Sequence, residues 1–314
     1  MQWQVRRPER LIDFLKSQMP GSVSAKSIRR SLELNACKVN GRIERFASTA
    51  LSAGDRVTFL PKAEEKREPL SVLFEDEWIK VVNKPPGLVC EDAVFRRLLG
   101  SCHFLIHRLD KDTSGLLLIA KNLEVKNQFI ELFEKREVFK LYLALADGVY
   151  PKEKATQESW LVRQKSFAGQ TIWGSLAAQK KSPFALYART EIKTMARGKQ
   201  ATLFSCQPVT GRTHQIRVHL SELGHPILTD RQYAERFRSS HTFARPLLHA
   251  SSLSFIHPFT KEPIDLSVPL PRDMQSAIEL VGIFSRNVGE LFVKQNQKER
   301  GDESDQDKET KEVG

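Results

Sequence analysis

His107 to Lys121 reads HRLDKDTSGLLLIAK, and the organisation of the chain follows outward from it. Leu116 to Ala120 is an apolar run that reads as a strand, entered through a Thr113-Ser114-Gly115 bend. Apolar strands usually meet turns chosen for geometry alone. This one carries a carboxylate, Asp110, between a guanidinium and an ammonium, Arg108 and Lys111. Such a setting suits an ionised aspartate presented to an anionic substrate or to chemistry.

Composition narrows the class. A chain of 314 residues can build two domains with cores of their own. Hydrophobic residues make up 40% and charged ones 28%, an ordinary soluble profile, and the net charge of +11 points to a polyanionic partner such as nucleic acid. The plainer alternative is a merely basic surface. Cys37, Cys90, Cys102 and Cys206 have neither the spacing of a zinc site nor the density of a disulfide framework, so reduced thiols in a cytoplasmic protein are expected. The N-terminal MQWQVRRPER lacks the apolar core of a signal peptide, and no run is long enough for a membrane span.

Residues 1–62 are expected to form a first unit. A helix begins at Arg10 with apolar Leu11, Phe14 and Leu15, and a second follows Ser24, a suitable N-cap. Short strands are expected at 37–40 and 56–60. Twelve Lys or Arg stand against five acids between Arg6 and Lys62. Lys26, Arg29 and Arg30 on the second helix, with Lys38 on the strand after it, are candidates to face phosphates, the alternative being a solvated helix face. Residues 63–69 read as a charged linker, 70–285 as a second domain, and 286–314 as a polar, disordered tail.

Within the second domain, strands are expected at 72–74, 79–83 and 139–146, and again near 184–192 and 200–206. Asn122 can cap a helix with Val125, Phe129, Leu132 and Phe133 as its apolar stripe. Residues 151–182 look less regular, and a helix is expected from Thr213 to Leu223, ended by Gly224. Two further segments carry chemistry. Lys140-Leu141-Tyr142-Leu143-Ala144 places Lys140 and Tyr142 on one strand face, where a phenol can stack on a base, move a proton or simply fill the core. Thr210 to Leu220, TGRTHQIRVHL, joins a glycine turn to a helix start rich in hydrogen-bonding side chains, a natural phosphate site.

Together, HRLDKDTSGLLLIAK, KLYLALADG and PVTGRTHQIRVHLSELGHPI resemble the signature segments of the RluA-type RNA pseudouridine synthases, in order and in spacing. Leu248-His249-Ala250 and His257-Pro258 extend the resemblance over about residues 70–272. The N-terminal pattern resembles the alpha-L, ribosomal-protein-S-four-like RNA-binding module. The resemblance implies an α+β fold, with the small module preceding a catalytic domain built on a large mixed, mostly antiparallel sheet and flanking helices. It implies isomerisation of uridine to pseudouridine in structured RNA, ribosomal RNA first and transfer RNA as the alternative. No cofactor, metal, membrane or obligate protein partner is implied.

By that resemblance Asp110 starts cleavage of the glycosidic bond; attack on sugar or base and abstraction of a sugar proton all stay open. Tyr142 would pack on the target base and serve as a base, Arg217 would pair with Asp110, and Arg108 would brace the vacated stack. Arg212 and His214 would meet the RNA backbone, with His107, Thr113, Lys140, Gln215 and Ile216 also at the substrate. The target must leave the stack for its glycosidic bond to be reached. Asn83, Cys206-Gln207, Thr229 and Ala234 depart from common family residues, Thr229 and Ala234 standing where glycine is frequent. Two rivals remain: an RNA-binding or ribosome-assembly factor without catalysis, and a hydrolase using Asp110 with His107.

Overall fold

The computed structural model describes residues 1–19, 24–33, 35–60, 70–167, 170–176, 182–234 and 236–283. The expected linker at 63–69 and tail at 286–314 lie outside the described residues.

The N-terminal part contains helices α1 (Leu11–Gln18) and α2 (Ala25–Glu33). Its short strands are β1 (Gln2–Gln4), β2 (Glu9–Arg10), β3 (Cys37–Val39), β4 (Arg42–Ile43), β5 (Ala50–Leu51) and β6 (Arg56–Phe59). They form one antiparallel sheet in the order β1-β6-β3-β4 and a separate β2–β5 pair. α1 buries Leu11, Ile12, Phe14 and Leu15 on one face. Ser24 caps α2, its Oγ accepting the Ser27 N–H at 3.1 Å. Buried side chains between Val5 and Phe59 make a core to which, among the described residues, none beyond Phe59 contributes.

The remainder builds an eleven-stranded sheet. In chain order it comprises β7 (Ser71–Glu75), β8 (Ile79–Lys84), α3 (Asp92–Leu99), β9 (Phe104–Leu105), β10 (Ser114–Ala120), α4 (Leu123–Glu134) and β11 (Phe139–Asp147). There follow β12 (Lys154–Phe167), β13 (Gln170–Ser175), β14 (Leu186–Arg197), β15 (Ala201–Pro208), α5 (Gln215–Glu222), β16 (Leu248–Ile256), β17 (Pro263–Ser267) and α6 (Arg272–Leu280). The strand order is β13-β12-β14-β15-β11-β16-β10-β8-β7, with β9 added to β10 and β17 to β16. Of these pairings β10 with β16 is parallel and the rest antiparallel, as the expected mixed sheet requires.

After Ser114, β10 is apolar to its end, and both its faces are covered. Leu116, Leu118 and Ala120 pack with Val125 and Phe129 of α4, and Leu117 and Ile119 pack with Val82 and Phe95. Asn122 caps α4 as expected, accepting the Val125 N–H at 2.8 Å. Gly115, at φ +114°, lies so close to β16 that an added Cβ would come within 2.1 Å of the Ala250 carbonyl oxygen. Only glycine allows that approach.

Two expectations need correction. The described residues of 151–182 are not irregular: they hold the long β12 and its partner β13. The inward face of β12 carries the small or polar Ala155, Gln157 and Ser159 before it reaches Leu161, so alternation of hydrophobicity is absent. Ser159 is instead satisfied by a hydrogen bond to His219 at 3.0 Å. The helix expected from Thr213 starts at Gln215, because His214 sits in the left-handed region at φ 56°. Its C-terminus is as expected: Gly224 N–H reaches Ser221 O and His225 N–H reaches Leu220 O, the two bonds of a Schellman cap. No helix among the described residues is long and apolar enough to cross a membrane.

Candidate active site

The turn that carries Asp110 is anchored on several sides. Thr113, buried, donates its N–H to the Asp110 carbonyl at 3.1 Å. The Lys84 ammonium, fully buried, donates to the carbonyls of Pro85, Leu88 and Lys111 at 3.0 Å each. Burial pulls Lys84 down to about 8. Arg245 donates to the Asp112 carbonyl at 2.9 Å and to Ser114 Oγ at 3.2 Å, and pairs with Asp273 at 2.7 Å. The backbone beneath Asp110 is therefore fixed by buried cations, and its carboxylate remains partly open, at 26% exposure.

Arg217 reaches that carboxylate as expected, Nη1 lying 3.2 Å from Asp110 Oδ2. Its stronger hold is on a residue not singled out in the sequence. Asp230 takes Nε at 2.6 Å and Nη2 at 2.8 Å, a bidentate pair, and Gln232 Oε1 takes Nη2 at 2.7 Å. Burial alone would lower the Arg217 pKa; Asp230 first, then Asp110, more than offset it and raise it above the usual arginine value. Asp230 follows Thr229, which holds φ 68° and accepts the Phe243 N–H on its hydroxyl at 2.9 Å. Asp230 and Tyr233 sit in the polar LTDRQY segment after α5, and that composition was the available signal.

His214 is drawn to the opposite side of the same carboxylate. Its Nε2 is 3.7 Å from Asp110 Oδ1, and its Nδ1 is 2.7 Å from the Tyr233 hydroxyl. The Tyr233 ring also lies 4.9 Å below the Arg217 guanidinium. His107, by contrast, accepts the Leu118 N–H on Nε2 at 3.1 Å and packs on Phe133. Burial drives His107 down to about 3, so it stays neutral and its Nε2 is occupied by the backbone. That removes the basis for an Asp110–His107 hydrolase.

Tyr142 lies half-buried on β11 at a bulge against β16, next to Cys90-side core residues and lining the cleft with Asp110. Burial first, and then the Asp110 charge, push its phenol above the ordinary range, so it is neutral at physiological pH. Lys140 lines the same cleft, its Nζ 5.2 Å from the Phe133 ring centroid, and burial pulls it down to about 8. Arg108 is exposed on the cleft wall, and Arg212, also exposed, donates Nε to the Tyr187 carbonyl at 3.0 Å. Gln215 and Ile216 are buried. Gln215 accepts from Thr210 and the Arg212 N–H and donates to Arg189 O and Thr190, so it shapes the turn from inside.

The cleft encloses about 2010 Å³, and the N-terminal part supplies one of its walls. Arg29 is exposed on that wall, whereas Lys38 is exposed away from the lining. The side chains of Lys26 and Arg30 lie outside the described residues. Arg45 bridges the two parts: it donates to the Ala244 carbonyl and, at 2.5 Å, to Asn35 Oδ1, and lies 3.8 Å from Asp112 Oδ2. Among the described residues no cluster of His, Cys, Asp or Glu suited to a metal is found.

Comparison with known proteins agrees with this architecture. Residues 79–222 match the family model for RNA pseudouridylate synthase. The chain is 32% identical over 302 residues to ribosomal large subunit pseudouridine synthase C of Escherichia coli (strain K12), covering 86% of this chain and 92% of that protein. It is 32% identical over 244 residues to ribosomal large subunit pseudouridine synthase D of Zymomonas mobilis, covering 70% and 75%. The solved structure of human RNA pseudouridylate synthase domain containing 1 matches with a TM-score of 0.56 at 26% identity, over 70% of this chain and 97% of that one. Sheet, cleft and matches define an isomerase that converts uridine to pseudouridine in RNA. The chain belongs to the RluA family of RNA pseudouridylate synthases.

Proposed function

We propose that the chain modifies ribosomal RNA, with Asp110 as the residue that opens the glycosidic bond. The observation that carries the reading is one partly open carboxylate, held by Arg217 at the floor of a cleft walled by basic side chains. The relatives named as ribosomal large subunit synthases support the choice of RNA, a substrate that places the enzyme in the cytoplasm.

The chemistry is an isomerisation. The N1–C1′ bond breaks, the base turns, C5 bonds to C1′, and the proton lost from C5 is balanced by one gained at N1. Asp110 initiates the cleavage, and Arg217, 3.2 Å away, orients its carboxylate. The Tyr142 ring packs on the turning base; its neutral phenol must first lose a proton before it can accept one from C5. Arg108 braces the space that the extruded uridine leaves, since the reaction needs the base out of its stack. Arg212 and Lys140 meet the backbone phosphates, and the N-terminal part is an alpha-L type module that grips flanking RNA through Arg29 and its neighbours.

The test is tritium release from RNA labelled at uridine C5, with ribosomal RNA and transfer RNA purified from cells lacking this gene. Release from ribosomal RNA alone is expected. Release from transfer RNA alone would reassign the substrate.

A further inference from the structure

The pairing of Asp110 with Arg217 accounts for one carboxylate oxygen, and the structure supplies a candidate for the other. We propose that Tyr233 and His214 are a positioning pair for Asp110, in which the Tyr233 hydroxyl fixes the imidazole tautomer so that His214 Nε2–H faces Asp110 Oδ1. The proposal rests on the reading of Asp110 as the residue that opens the glycosidic bond.

The hydrogen-bond directions lead to this assignment. The backbone N–H of Trp173 can only donate, and it points at the Tyr233 oxygen at 3.2 Å. The Tyr233 oxygen accepts there, which leaves its proton to be given to His214 Nδ1 at 2.7 Å. A neutral imidazole that accepts on Nδ1 carries its proton on Nε2, the nitrogen 3.7 Å from Asp110 Oδ1. That gap is longer than a hydrogen bond, and such contacts commonly tighten when substrate closes the site.

The backbone supports the same geometry. His214 holds φ 56°, a left-handed conformation unfavourable for a residue with a Cβ, directly before α5. Its side chain makes no cap to that helix, and the turn leading into it is closed by Gln215, whose Oε1 accepts the Arg212 N–H. The strained residue therefore contributes to the Asp110 site rather than to the helix end.

The groups that face His214 are Asp110 on the turn before β10, Arg217 on α5, and Asp230 and Tyr233 on the segment after α5. β13 reaches the pair through the Trp173 backbone N–H, which donates to the Tyr233 hydroxyl. Burial first, opposed by Asp110, holds the imidazole below its ordinary 6.5, and burial pushes the Tyr233 phenol up to about 12. At neutral pH the phenol is thus a donor and the imidazole a neutral acceptor.

Tyr233→Phe removes one oxygen and keeps the ring beside Arg217. In the full chain with 15N-labelled histidine, long-range proton–nitrogen correlation, with the His214 signals assigned by His214→Gln, reads the tautomer directly. The Nε2–H form is expected in the wild type and a mixture in Tyr233→Phe. In tritium release, Tyr233→Phe should lower kcat roughly fivefold to tenfold near pH 8 with KM nearly unchanged. That deficit should shrink as the pH falls, because an imidazolium carries Nε2–H whatever its neutral tautomer. His214→Gln, which keeps a donor, should retain more kcat than His214→Leu. An Nδ1–H tautomer in the wild type, or a deficit equal at every pH, would overturn the proposal. Failure of the underlying reading has a separate signature: Asp110→Ala would still release tritium while the tautomer stayed as assigned.

Discussion

Arg217 is buried between two carboxylates of unequal grip, and that inequality shapes what substitutions should do. Asp230 holds it bidentately and Asp110 by one nitrogen, so the guanidinium is fixed from behind and offered forward. A lysine cannot reproduce a three-sided fork. Arg217→Lys should lower kcat by at least about 100-fold while the fold is retained, checked by circular dichroism beside tritium release. Asp230→Ala leaves a buried cation half-compensated and should cost about 3 kcal/mol of stability, measured by urea unfolding. Lys140 gives a pH signature. Its folded-state value near 8 is below its ordinary 10.5, so the folded chain binds fewer protons in that window and stability rises with pH through it. Where the ammonium meets phosphate the affinity runs the other way: RNA binding should weaken between pH 7 and pH 8.5, and Lys140→Met should remove that slope. That Asp110, Tyr142 and Arg217 would meet at one cleft was legible through the resemblance of their three segments to family signatures; the residues alone left Tyr142 equally able to fill the core. Asp230 and Tyr233 were not legible, because their work lies in contacts between a loop and a helix that spacing does not reveal.

At the level of elements, strand β10 ties the chemistry to the core. Its apolar run announced a strand, and its burial on both faces explains why the run is unbroken. Gly115 was legible as a bend and not as a contact, since the neighbour it must admit, β16, lies more than a hundred residues away in sequence. Gly115→Ala must push the Ala250 carbonyl aside and also adopt a left-handed φ. It should leave little folded protein at 37 °C, seen as a Tm lowered by several degrees or more. Strands β12 and β13 were missed for the opposite reason. The inward face of β12 is small or polar until Leu161, with Ser159 satisfied by His219, so no alternation of hydrophobicity marks it, and β13 is only six residues long. The start of α5 was misplaced by two residues, because a left-handed His214 is chosen by the site and not by helix propensity.

For the whole molecule, charge and topology point the same way. The basic excess near the N-terminus was visible from the sequence, but its placement as one wall of the cleft needed the structure. Arg29→Gln should lower the slope of log affinity against log salt by about one if Arg29 neutralises a phosphate. Arg45 touches both the Ala244 carbonyl and the Asp112 side of the Asp110 turn, so Arg45→Ala should lower kcat as well as affinity. If Asp110 opens the glycosidic bond of a uridine held in this cleft, its removal must abolish product without loss of RNA binding. The most direct measurement is tritium release from C5-labelled ribosomal RNA, with wild type and Asp110→Ala in parallel and RNA binding recorded for both. Release by the wild type, none by Asp110→Ala, and equal binding are expected. Release by Asp110→Ala at the wild-type rate would contradict that role for Asp110.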